Sequence, residues 1–320
     1  MGCGFFGQIQ LEAWRRMADA DIVAACDGNA ERAGTSAPRS YVNLEEMLDR
    51  EELDFVDVAT RPDSHLELLR ICIDRRLPVI LQKPLAPDMA TALEMVRLVE
   101  ESGTRVMIHE NWRWQPWHRE LRKRIAAGDI GQPYGYHFTM MNNDGLGGSP
   151  YPNQPYFKDM PKLLMFESLI HPVDVARFHF GEIASIYAAT RRRNAIIAGE
   201  DRAILVLTHT MAVDGVVEGN RYLAPEPAGA AMGHSLVEGE SGRLLVLANG
   251  ELLHNGVRVW QNTVETGYKG DSVKATQEHF IACLRSGQPF ETEISEYLHS
   301  FAAIEAAYVS AREQRAVRLA

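Results

Sequence analysis

The chain has 320 residues, of which 46% are hydrophobic and 24% charged, so it is long enough for two domains that need neither disulfides nor structural metals. Its 33 basic against 43 acidic residues give a net charge of -10, which argues against nucleic acid or an anionic membrane as the main partner. It contains no run of about 20 apolar residues, no signal peptide and no Cys-x-x-Cys, and we therefore expect a cytoplasmic protein with reduced cysteines and no metal.

The first 118 residues alternate β-branched runs with amphipathic helical runs, which predicts an α/β domain built from βαβ units. The predicted strands are 22–26, 55–59, 79–81 and 106–108, with helices after Pro62 and Asp88. From residue 119 to 320, strand-like runs follow one another with Gly/Asn turns, which predicts an α+β domain. Its predicted strands are 136–141, 183–190, 203–211, 244–248 and 257–261, and its helices are 172–180, 272–286 and about the last 25 residues. The stretch 142–161 is predicted to be a long loop, either functional or disordered.

A glycine pattern opens the chain. Gly2, Gly4 and Gly7 form a G-x-G-x-x-G in front of a helical run. Such glycines let the backbone turn tightly and approach a pyrophosphate, which sits on the amides of the helix N-terminus. Asp27 ends the next strand, where a carboxylate binds the ribose 2′-hydroxyl and repels a 2′-phosphate, so NAD is predicted in preference to NADP. The alternative is a glycine-rich turn with an aspartate that caps the next helix.

The sequence departs from that of such a dinucleotide-binding domain at the strand that should precede the glycine pattern. Only Met1 stands before Gly2, whereas the first strand of such a domain lies in the middle of its sheet. We expect this strand to be missing or truncated, through a misassigned start or a real loss that impairs cofactor binding. Met1 is then an internal residue of that strand.

Five further motifs resemble those of one enzyme family. In chain order they are Thr60-Arg61-Pro62-Asp63-Ser64-His65, Gln82-Lys83-Pro84, Asn111-Trp112-Arg113-Trp114-Gln115-Pro116, Gly128-Asp129-Ile130-Gly131 and Glu167-Ser168-Leu169-Ile170-His171-Pro172-Val173-Asp174. They are similar to the T-P-P-x-x-H, E-K-P, N-x-R-x-x-P, G-x-I-G and D-x-G-x-H-x-x-D motifs of the Gfo/Idh/MocA family, which includes glucose–fructose oxidoreductase and inositol dehydrogenase. Gln82 and Glu167 stand where relatives carry glutamate and aspartate.

The resemblance implies a Rossmann-type domain over 1–118 and an α+β domain over 119–320 with a large open mixed or antiparallel sheet. It also implies an NAD(P)-dependent oxidoreductase. Such an enzyme moves a hydride between nicotinamide and the alcohol or ketone carbon of a sugar, cyclitol or related polyol. A homodimer or homotetramer is expected by the same analogy.

The resemblance assigns catalysis to Lys83, Glu167 and His171. Lys83 follows a predicted strand and so emerges at the carboxyl edge of the sheet, where ligands bind in such domains. Glu167 and His171 are spaced i,i+4 and share one face if the helix already runs at Glu167, but Pro172 leaves open that His171 sits at the cap. We expect the Lys83 and His171 side chains to converge at the nicotinamide. The alternatives are a solvated lysine and a capping histidine with a structural glutamate.

Together the glycine pattern and the resemblance assign the cofactor to Gly2, Gly4, Phe5, Phe6, Gly7, Asp27, Thr60, His65, Gln82, Lys83, Asn111 and Arg113. They assign the substrate to Lys83, Trp112, Trp114, Glu167 and His171, since aromatic faces suit sugar rings. Ordinary packing is the alternative for the tryptophans, and a partly buried structural histidine is the alternative for His65.

Two other functions stay open at this point. Some relatives use bound NAD transiently and catalyse net glycoside hydrolysis or elimination, which tight cofactor retention without net NADH production would favour. The other alternative is a non-catalytic cofactor-binding protein, which full activity after Lys83→Ala would favour.

Overall fold

The structure is a computed structural model that describes residues 1–319. The helices are α1 (Phe5–Arg15), α2 (Ala30–Gly34), α3 (Leu44–Arg50), α4 (His65–Asp74), α5 (Met89–Ser102), α6 (Pro116–Ala126), α7 (Ile170–Phe180), α8 (Ser272–Ser286) and α9 (Ile294–Glu313). The strands are β1 (Ala25–Cys26), β2 (Ser40–Tyr41), β3 (Val56–Val58), β4 (Val79–Gln82), β5 (Val106–His109), β6 (Pro133–Met141), β7 (Ile183–Arg191), β8 (Arg202–His209), β9 (Asp214–Asn220), β10 (Ser235–Gly239), β11 (Gly242–Val246), β12 (Leu252–His254), β13 (Val257–Trp260) and β14 (Val317–Arg318). Turns of 3-10 helix cover Pro62–Ser64, Asn111–Trp114 and Pro155–Asp159, and a π-helical turn covers Leu164–Leu169.

The first of two compact units consists of Met1–Asn111 and Thr266–His299. Its strands β3, β4 and β5 form a parallel sheet in that order, as the sequence predicts. Every residue of β4 and β5 is buried, because both faces of a parallel sheet are covered. On one face, Trp14 of α1 and Phe280 of α8 pack with Ile80 and Met107. The segment 266–299, which the sequence analysis groups with the second domain, thus supplies a helix to the core of the first unit.

The sheet of the first unit is divided at the position of the expected first strand. Within residues 1–319, β1 and β2 form a parallel pair that is not joined to the β3–β5 sheet. Met1 and Gly2 lie between the two parts, since Gly2 N donates to Cys26 O (2.8 Å) and Ala59 N donates to Met1 O (2.7 Å). The predicted strands 22–26 and 55–59 shrink to β1 and β3, because a strand edge without a neighbour has no ladder to extend it. Met1 and Gly2 therefore link the two parts of the sheet through backbone hydrogen bonds.

The second unit consists of Trp112–Glu265 and the chain from Ser300 onward. Its nine-stranded sheet has the order β13-β12-β11-β10-β6-β9-β8-β7-β14. The sheet is mixed, since β6 and β9 are parallel whereas neighbours such as β7 and β8 are antiparallel. The predicted large sheet is confirmed. It arises because β9, which follows β7 and β8 along the chain, pairs with β6 and so joins β7 and β8 to the rest of the sheet.

Strand β9 was not predicted, because it contains two glycines, which normally weaken a strand. The structure explains both of them by close approach. A Cβ at Gly215 would lie 2.0 Å from the Tyr136 ring, and a Cβ at Gly219 would lie 2.5 Å from the Leu169 side chain. The close packing of Tyr136 and Leu169 against β9 therefore requires glycine at both positions. Local sequence patterns do not reveal this requirement.

One face of the large sheet is lined by half-exposed and exposed side chains. A row of directly paired residues crosses six strands on this face, namely Tyr187, Val206, Val216, His137, Leu236 and Leu245. Tyr187 and Val206 are 40% and 43% exposed. Five of these six side chains are apolar or aromatic and His137 is polar, and a row of this kind on an open sheet is a candidate contact surface.

All four cysteines are free and buried. Burial raises the pKa of the Cys26 thiol to about 11 and that of the Cys72 thiol to about 12, so both are unreactive thiols at neutral pH. No helix in the described part of the chain combines the length and the apolar character needed to cross a bilayer.

Two buried histidines lie in the second unit. The rings of His118 on α6 and His179 on α7 have centroids 5.9 Å apart, and both approach Phe138. Burial lowers the pKa of His118 to about 3. Burial, followed by the charge of His118, lowers the pKa of His179 well below its usual value. Both rings are therefore neutral in the folded protein at neutral pH.

We expect the free energy of unfolding to fall as the pH drops from about 6.5 towards about 3. In this range the unfolded chain protonates both histidines and the folded chain does not, so each adds a slope of up to about 1.4 kcal/mol per pH unit. Urea unfolding across this range measures the slope. His118→Leu should lower it, whereas the control His254→Gln, at a half-exposed position, should leave it unchanged. Equal slopes in all three proteins would contradict the explanation.

Candidate active site

The three glycines of the opening turn have different steric surroundings. Gly2 has a φ of +89°, and a Cβ there would lie 2.8 Å from the carbonyl carbon of Ala59. At Gly7 a Cβ would lie 2.1 Å from the carbonyl oxygen of Gly2, so α1 packs directly on the turn. At Gly4 nothing lies within 4 Å of the Cβ position. The protein's own packing requires the first and third glycines, and the second one faces open space.

Asp27 holds this turn from the end of β1. Its Oδ2 accepts a hydrogen bond from Cys3 N (2.7 Å), and its Oδ1 accepts one from Asn29 N (2.8 Å) at the entry of α2. Asn29 in turn caps α2 through Arg32 N. Asp27 therefore organises both the glycine turn and the start of the next helix, so the helix-capping alternative describes part of its role.

The start of α1 fits an anionic group. The helix begins at Phe5, no side chain caps its first turn, and no acidic residue lies in that turn. The N–H groups of a first helical turn lack partners within the helix and form the positive end of its dipole. Together with the open space at Gly4, this end of the helix fits the pyrophosphate of a dinucleotide, and the contact of Asp27 with a ribose stays a prediction.

A segment that sequence reasoning missed lies next to the turn. The Tyr268 ring packs edge-on against Phe6 with centroids 5.5 Å apart, and Asp271 accepts a hydrogen bond from Arg16 (2.7 Å). Burial lowers the pKa of the intervening Lys269 to about 8. No periodic pattern marks this segment, and the available signal was a pair of glycines just before α8.

The residues that follow β3 and β4 lie at the carboxyl edge of the parallel sheet. Thr60 comes shortly after β3, and Lys83 comes directly after β4. His65 joins the two loops, since its ring nitrogens lie 3.0 Å from Leu85 O and 3.1 Å from Thr60 O. His65 is fully buried, and these contacts match the structural alternative for this histidine.

The backbone of Lys83 is held by its neighbour. Gln82 Oε1 accepts from Lys83 N (2.8 Å), and Gln82 Nε2 donates to Gln10 Oε1 (3.4 Å). Gln82 is buried and Lys83 is half-buried. Near the end of the next strand, the buried Asn111 donates from Nδ2 to Ser272 Oγ (2.8 Å) at the start of α8. Gln82 and Asn111 thus fix the strand ends that lie nearest the predicted cofactor.

In the second unit, Glu167 and His171 lie on one continuous helical segment. Glu167 is in the π-helical turn, which runs directly into α7, and His171 is the second residue of α7. Pro172 is accommodated because it lies in the first turn of α7. The helix therefore already runs at Glu167. Both side chains are mostly buried, with 7% and 6% exposure, and π-helical turns occur frequently at functional sites.

Glu200 holds the start of the π-helical turn. Its carboxylate accepts hydrogen bonds from Met165 N (2.9 Å) and Tyr308 OH (2.6 Å), and Leu163 N lies 3.4 Å away. Burial raises the pKa of Glu200, and these hydrogen bonds oppose the rise. The carboxylate satisfies amides that have no partner at a helix start, so Glu200 positions the turn that carries Glu167. Sequence reasoning missed Glu200, because no local motif surrounds it.

The predicted tryptophans have different environments. Trp112 stacks on His171, with ring centroids 4.9 Å apart and an interplanar angle of 11°. Trp114 lies under the Arg119 guanidinium, whose central carbon is 3.6 Å from the ring centroid. Trp117, which follows in the same stretch, is fully buried in the core. Trp112 thus contacts a predicted catalytic residue, and packing accounts for Trp117.

Arg113 forms a buried ion pair. Its Nε and Nη2 donate to the two carboxylate oxygens of Asp174 at 2.6 and 2.8 Å, and Ser300 Oγ donates to the same carboxylate at 2.7 Å. Such a bidentate pair combines directional hydrogen bonds with full burial of both charges. Arg113 therefore ties its turn to α7, and its predicted contact with the cofactor stays a prediction.

The stretch 142–161 is an ordered loop that Arg221 anchors. The guanidinium of Arg221 donates to Asp144 at 2.8 and 2.6 Å and to Ser168 Oγ at 2.8 Å, and it lies over the Tyr151 ring at 5.1 Å. Arg221 O also accepts from Gly145 N (2.7 Å). The loop is thereby attached to the π-helical turn that bears Glu167.

Within residues 1–319, no group of three or more His, Cys, Asp or Glu side chains is placed to hold a metal ion. Lys83 belongs to the first unit, and Glu167 and His171 belong to the second. The convergence of Lys83 with His171 stays a prediction.

Comparison with known proteins identifies both parts of the chain. A family model described as GFO/IDH/MocA, an oxidoreductase family with an NAD-binding Rossmann fold, matches residues 1–110, and the GFO/IDH/MocA C-terminal domain matches residues 118–244. The D-apiose dehydrogenase of Paraburkholderia graminis is 36% identical over 338 residues, covering 100% of this chain and 88% of that protein. The D-apiose dehydrogenase of Rhizobium rhizogenes is 32% identical over 339 residues, covering 99% and 95%.

A solved structure has the same fold over nearly the whole chain. It is an oxidoreductase from Agrobacterium radiobacter in complex with NAD+, L-tartaric acid and magnesium. It superposes with a TM-score of 0.90 at 29% identity, covering 99% of this chain and 96% of that one. The predicted Rossmann-type domain followed by an α+β domain is thus confirmed.

We expect Glu200→Ala to loosen the π-helical turn. The substitution leaves the buried amide of Met165 and the hydroxyl of Tyr308 without their acceptor, at a cost of about 2 kcal/mol or more. Hydrogen–deuterium exchange should accelerate at least tenfold in the peptide 163–169. Glu305→Ala, which removes a partly exposed ion pair with Lys162, is the matched control and should leave this peptide unchanged. Unaltered exchange in Glu200→Ala would refute the assigned role.

Proposed function

Because this chain belongs to the GFO/IDH/MocA family of oxidoreductases, we propose that it is an NAD-dependent dehydrogenase that acts on an alcohol carbon of a sugar or related polyol. The observation that carries the proposal is the opening turn, where two glycines are required by packing and Gly4 leaves open space at the start of α1. The names of the full-length relatives support a sugar as the substrate class.

The proposed cofactor site is built on the first unit. The turn from Gly2 to Gly7 holds the pyrophosphate on the amides of α1, and Asp27 binds the ribose and favours NAD over NADP. The remaining contacts are assigned to Phe5, Phe6, Thr60, His65, Gln82, Lys83, Asn111 and Arg113. NAD, when bound, accepts the hydride from the alcohol carbon, so the protein has to position the substrate and take up its hydroxyl proton.

We assign proton transfer to His171 or Lys83. An imidazole is suited to accept the hydroxyl proton near neutral pH, and a lysine can hold or exchange a proton at the same oxygen. The stack on Trp112 fixes the plane of the His171 ring, and Glu167 orients the ring or stabilises the charge that forms on it. Trp112 and Trp114 are assigned to the sugar ring, because aromatic faces suit its apolar side.

We also propose that the protein is a homodimer or homotetramer in the cytoplasm. The row that begins with Tyr187 and Val206 on the open sheet face supports an interface between copies, since five of its six side chains are apolar or aromatic and it crosses six strands. The four free cysteines support a reducing compartment.

The test is a spectrophotometric screen of NAD+ and NADP+ reduction with a panel of aldoses, ketoses, inositols and linear polyols. Net NADH formation with at least one sugar is the expected result. Glycoside cleavage with retained cofactor and no net NADH would favour the transient-redox alternative. Cofactor binding without turnover of any substrate would favour a non-catalytic binder.

In the same assay, Lys83→Met and His171→Asn should each lower kcat by about 10²- to 10⁴-fold, the range for loss of a general acid or base. In His171→Asn the Kd for NAD+ should stay within about threefold, because neither the glycine turn nor an assigned cofactor contact is changed. The matched controls are Lys123→Met and His254→Asn, at exposed and half-exposed positions, and both should keep the parental kcat. Parental kcat in both site variants would contradict the catalytic assignment.

We expect Asp27→Asn to weaken the preference for NAD+. The asparagine keeps an oxygen that can accept from Cys3 N, but it removes the charge that repels a 2′-phosphate. The ratio of the Kd values for NADP+ and NAD+, measured by fluorescence titration, should fall at least tenfold. Asp49→Asn, at an exposed aspartate, is the control and should leave the ratio unchanged. A constant ratio in Asp27→Asn would argue against Asp27 as the selectivity residue.

A further inference from the structure

One buried arginine binds both the turn that carries Glu167 and the loop that follows β6. Arg221 comes directly after β9, and its Nη1 donates to Ser168 Oγ (2.8 Å) in the π-helical turn. Its Nε and Nη2 donate to the two carboxylate oxygens of Asp144 at 2.8 and 2.6 Å. Arg221 and Ser168 are both buried, and Ser168 is the residue next to Glu167. A single cation therefore connects the loop with the proposed site of proton transfer.

The loop meets the backbone of Arg221 without room for a side chain. Gly145 N donates to Arg221 O (2.7 Å). A Cβ at Gly145 would lie 2.6 Å from Arg221 O, 2.8 Å from Arg221 Cβ and 3.0 Å from the hydroxyl oxygen of Tyr151. These distances are shorter than atoms in a packed interior allow, so a side chain at this position would push the loop away from Arg221. At Gly148, in the same loop, nothing lies within 4 Å of the Cβ position.

A second connection holds the loop in this place. Asn194 Nδ2 donates to Gly145 O (2.8 Å) and to Gly147 O (3.1 Å). Asn194 is held in turn by Asp201, whose Oδ2 accepts from Asn194 N (2.8 Å). The backbone oxygen of the same Asp201 accepts from Arg221 N (3.0 Å). The loop is thus joined to Arg221 directly and also through Asn194 and Asp201.

Glu167 lies between two anchored positions of the π-helical turn. Glu200 accepts hydrogen bonds at the start of the turn, and Arg221 donates to Ser168 near its end. Glu167 and Ser168 share a rigid peptide plane, so a displacement of Ser168 also turns Glu167. The orientation of Glu167 therefore depends on the guanidinium of Arg221.

We propose that Arg221 is a positioning residue for the proposed proton transfer, and that it transmits the docking of the loop segment 142–147 to Glu167. A planar guanidinium suits this task because its donors have fixed directions. Two of them are occupied by the carboxylate of Asp144, which fixes the plane of the group. The donor that remains is thereby aimed at Ser168.

The position of the loop then determines the order of the turn. A loop displaced at Gly145 withdraws Asp144, so the guanidinium loses the partner that orients it and Ser168 loses a fixed donor. The turn then adopts further conformations, in which Glu167 no longer orients His171 or stabilises the charge on it. This effect on catalysis rests on the proposed function, whereas the coupling of the loop to the turn does not.

The first experiment changes the loop and measures the turn. Gly145→Ala adds a methyl group where the loop meets Arg221, and Gly148→Ala is the matched control, because the same group meets open space there. In Gly145→Ala, hydrogen–deuterium exchange of the peptide 163–169 should accelerate by about fivefold or more, since the turn opens more often. Gly148→Ala should exchange like the parent. Parental exchange in Gly145→Ala would overturn the coupling.

The second experiment removes the connection itself. Ser168→Ala deletes the acceptor of Arg221 Nη1 and leaves the contacts of the loop in place. In the NAD+-reduction assay, kcat should fall by about 10- to 100-fold, as expected for a misplaced group beside the reacting atoms, while the KM for NAD+ stays within about twofold. The control is Ser310→Ala, which breaks the hydrogen bonds of another buried serine, on α9. It should lower Tm by a comparable amount and keep the parental kcat. Parental kcat in Ser168→Ala would overturn the positioning role.

The double variant tests whether both changes act along one path. Gly145→Ala should lower kcat in the parent, but by less than about twofold in Ser168→Ala, because the connection is already lost there. Two effects that multiply would overturn transmission through Arg221. If the parent turns over no substrate, the proposed function and the role in proton transfer are overturned, while exchange of the peptide 163–169 still decides the coupling. If exchange responds and kcat does not, the coupling is supported and the positioning role is overturned.

Discussion

The contact between α1 and the turn before it sets the geometry of the whole cofactor-binding part. The helix can start at Phe5 because Gly7 has no side chain to strike the carbonyl of Gly2. That contact aims the free amides of the helix at the open space beside Gly4. Asp27 then fastens the turn to β1 through Cys3 N. Without this close approach, the amides at the start of α1 could not reach the pyrophosphate of a dinucleotide.

In the second unit, buried charged groups hold the segment that carries Glu167 and His171. Glu200 holds the start of the π-helical turn, Arg113 pairs with Asp174 on α7, and Arg221 joins the turn to the loop 142–161. Each of these groups is buried with its hydrogen bonds made, so losing one partner strands a polar group in a low-dielectric interior. The segment that carries Glu167 and His171 is therefore held from several directions, as the proposed proton transfer would require.

Local sequence patterns predict a strand or helix correctly where the burial of its residues follows from their own hydrophobic pattern. Strands 79–82 and 106–109 are continuous apolar runs that become buried parallel strands, and α8 was predicted with its observed bounds at 272–286. The prediction of strands is wrong where contacts with a distant part of the chain determine whether a strand forms or where it ends. Strand β9 contains glycines because a tyrosine ring and a leucine side chain lie against them, and the strand 22–26 shortens because its facing edge lacks a neighbour.

By itself the sequence determined the family, the two-part layout and the residue types needed for dinucleotide chemistry. These depend on short contiguous motifs such as the glycine turn and Gln82-Lys83-Pro84, whose spacing is a property of the chain. Only the tertiary structure decided which buried groups hold those motifs. Glu200, Arg221 and the segment around Tyr268 act on residues far away along the chain, so no local periodicity could reveal them.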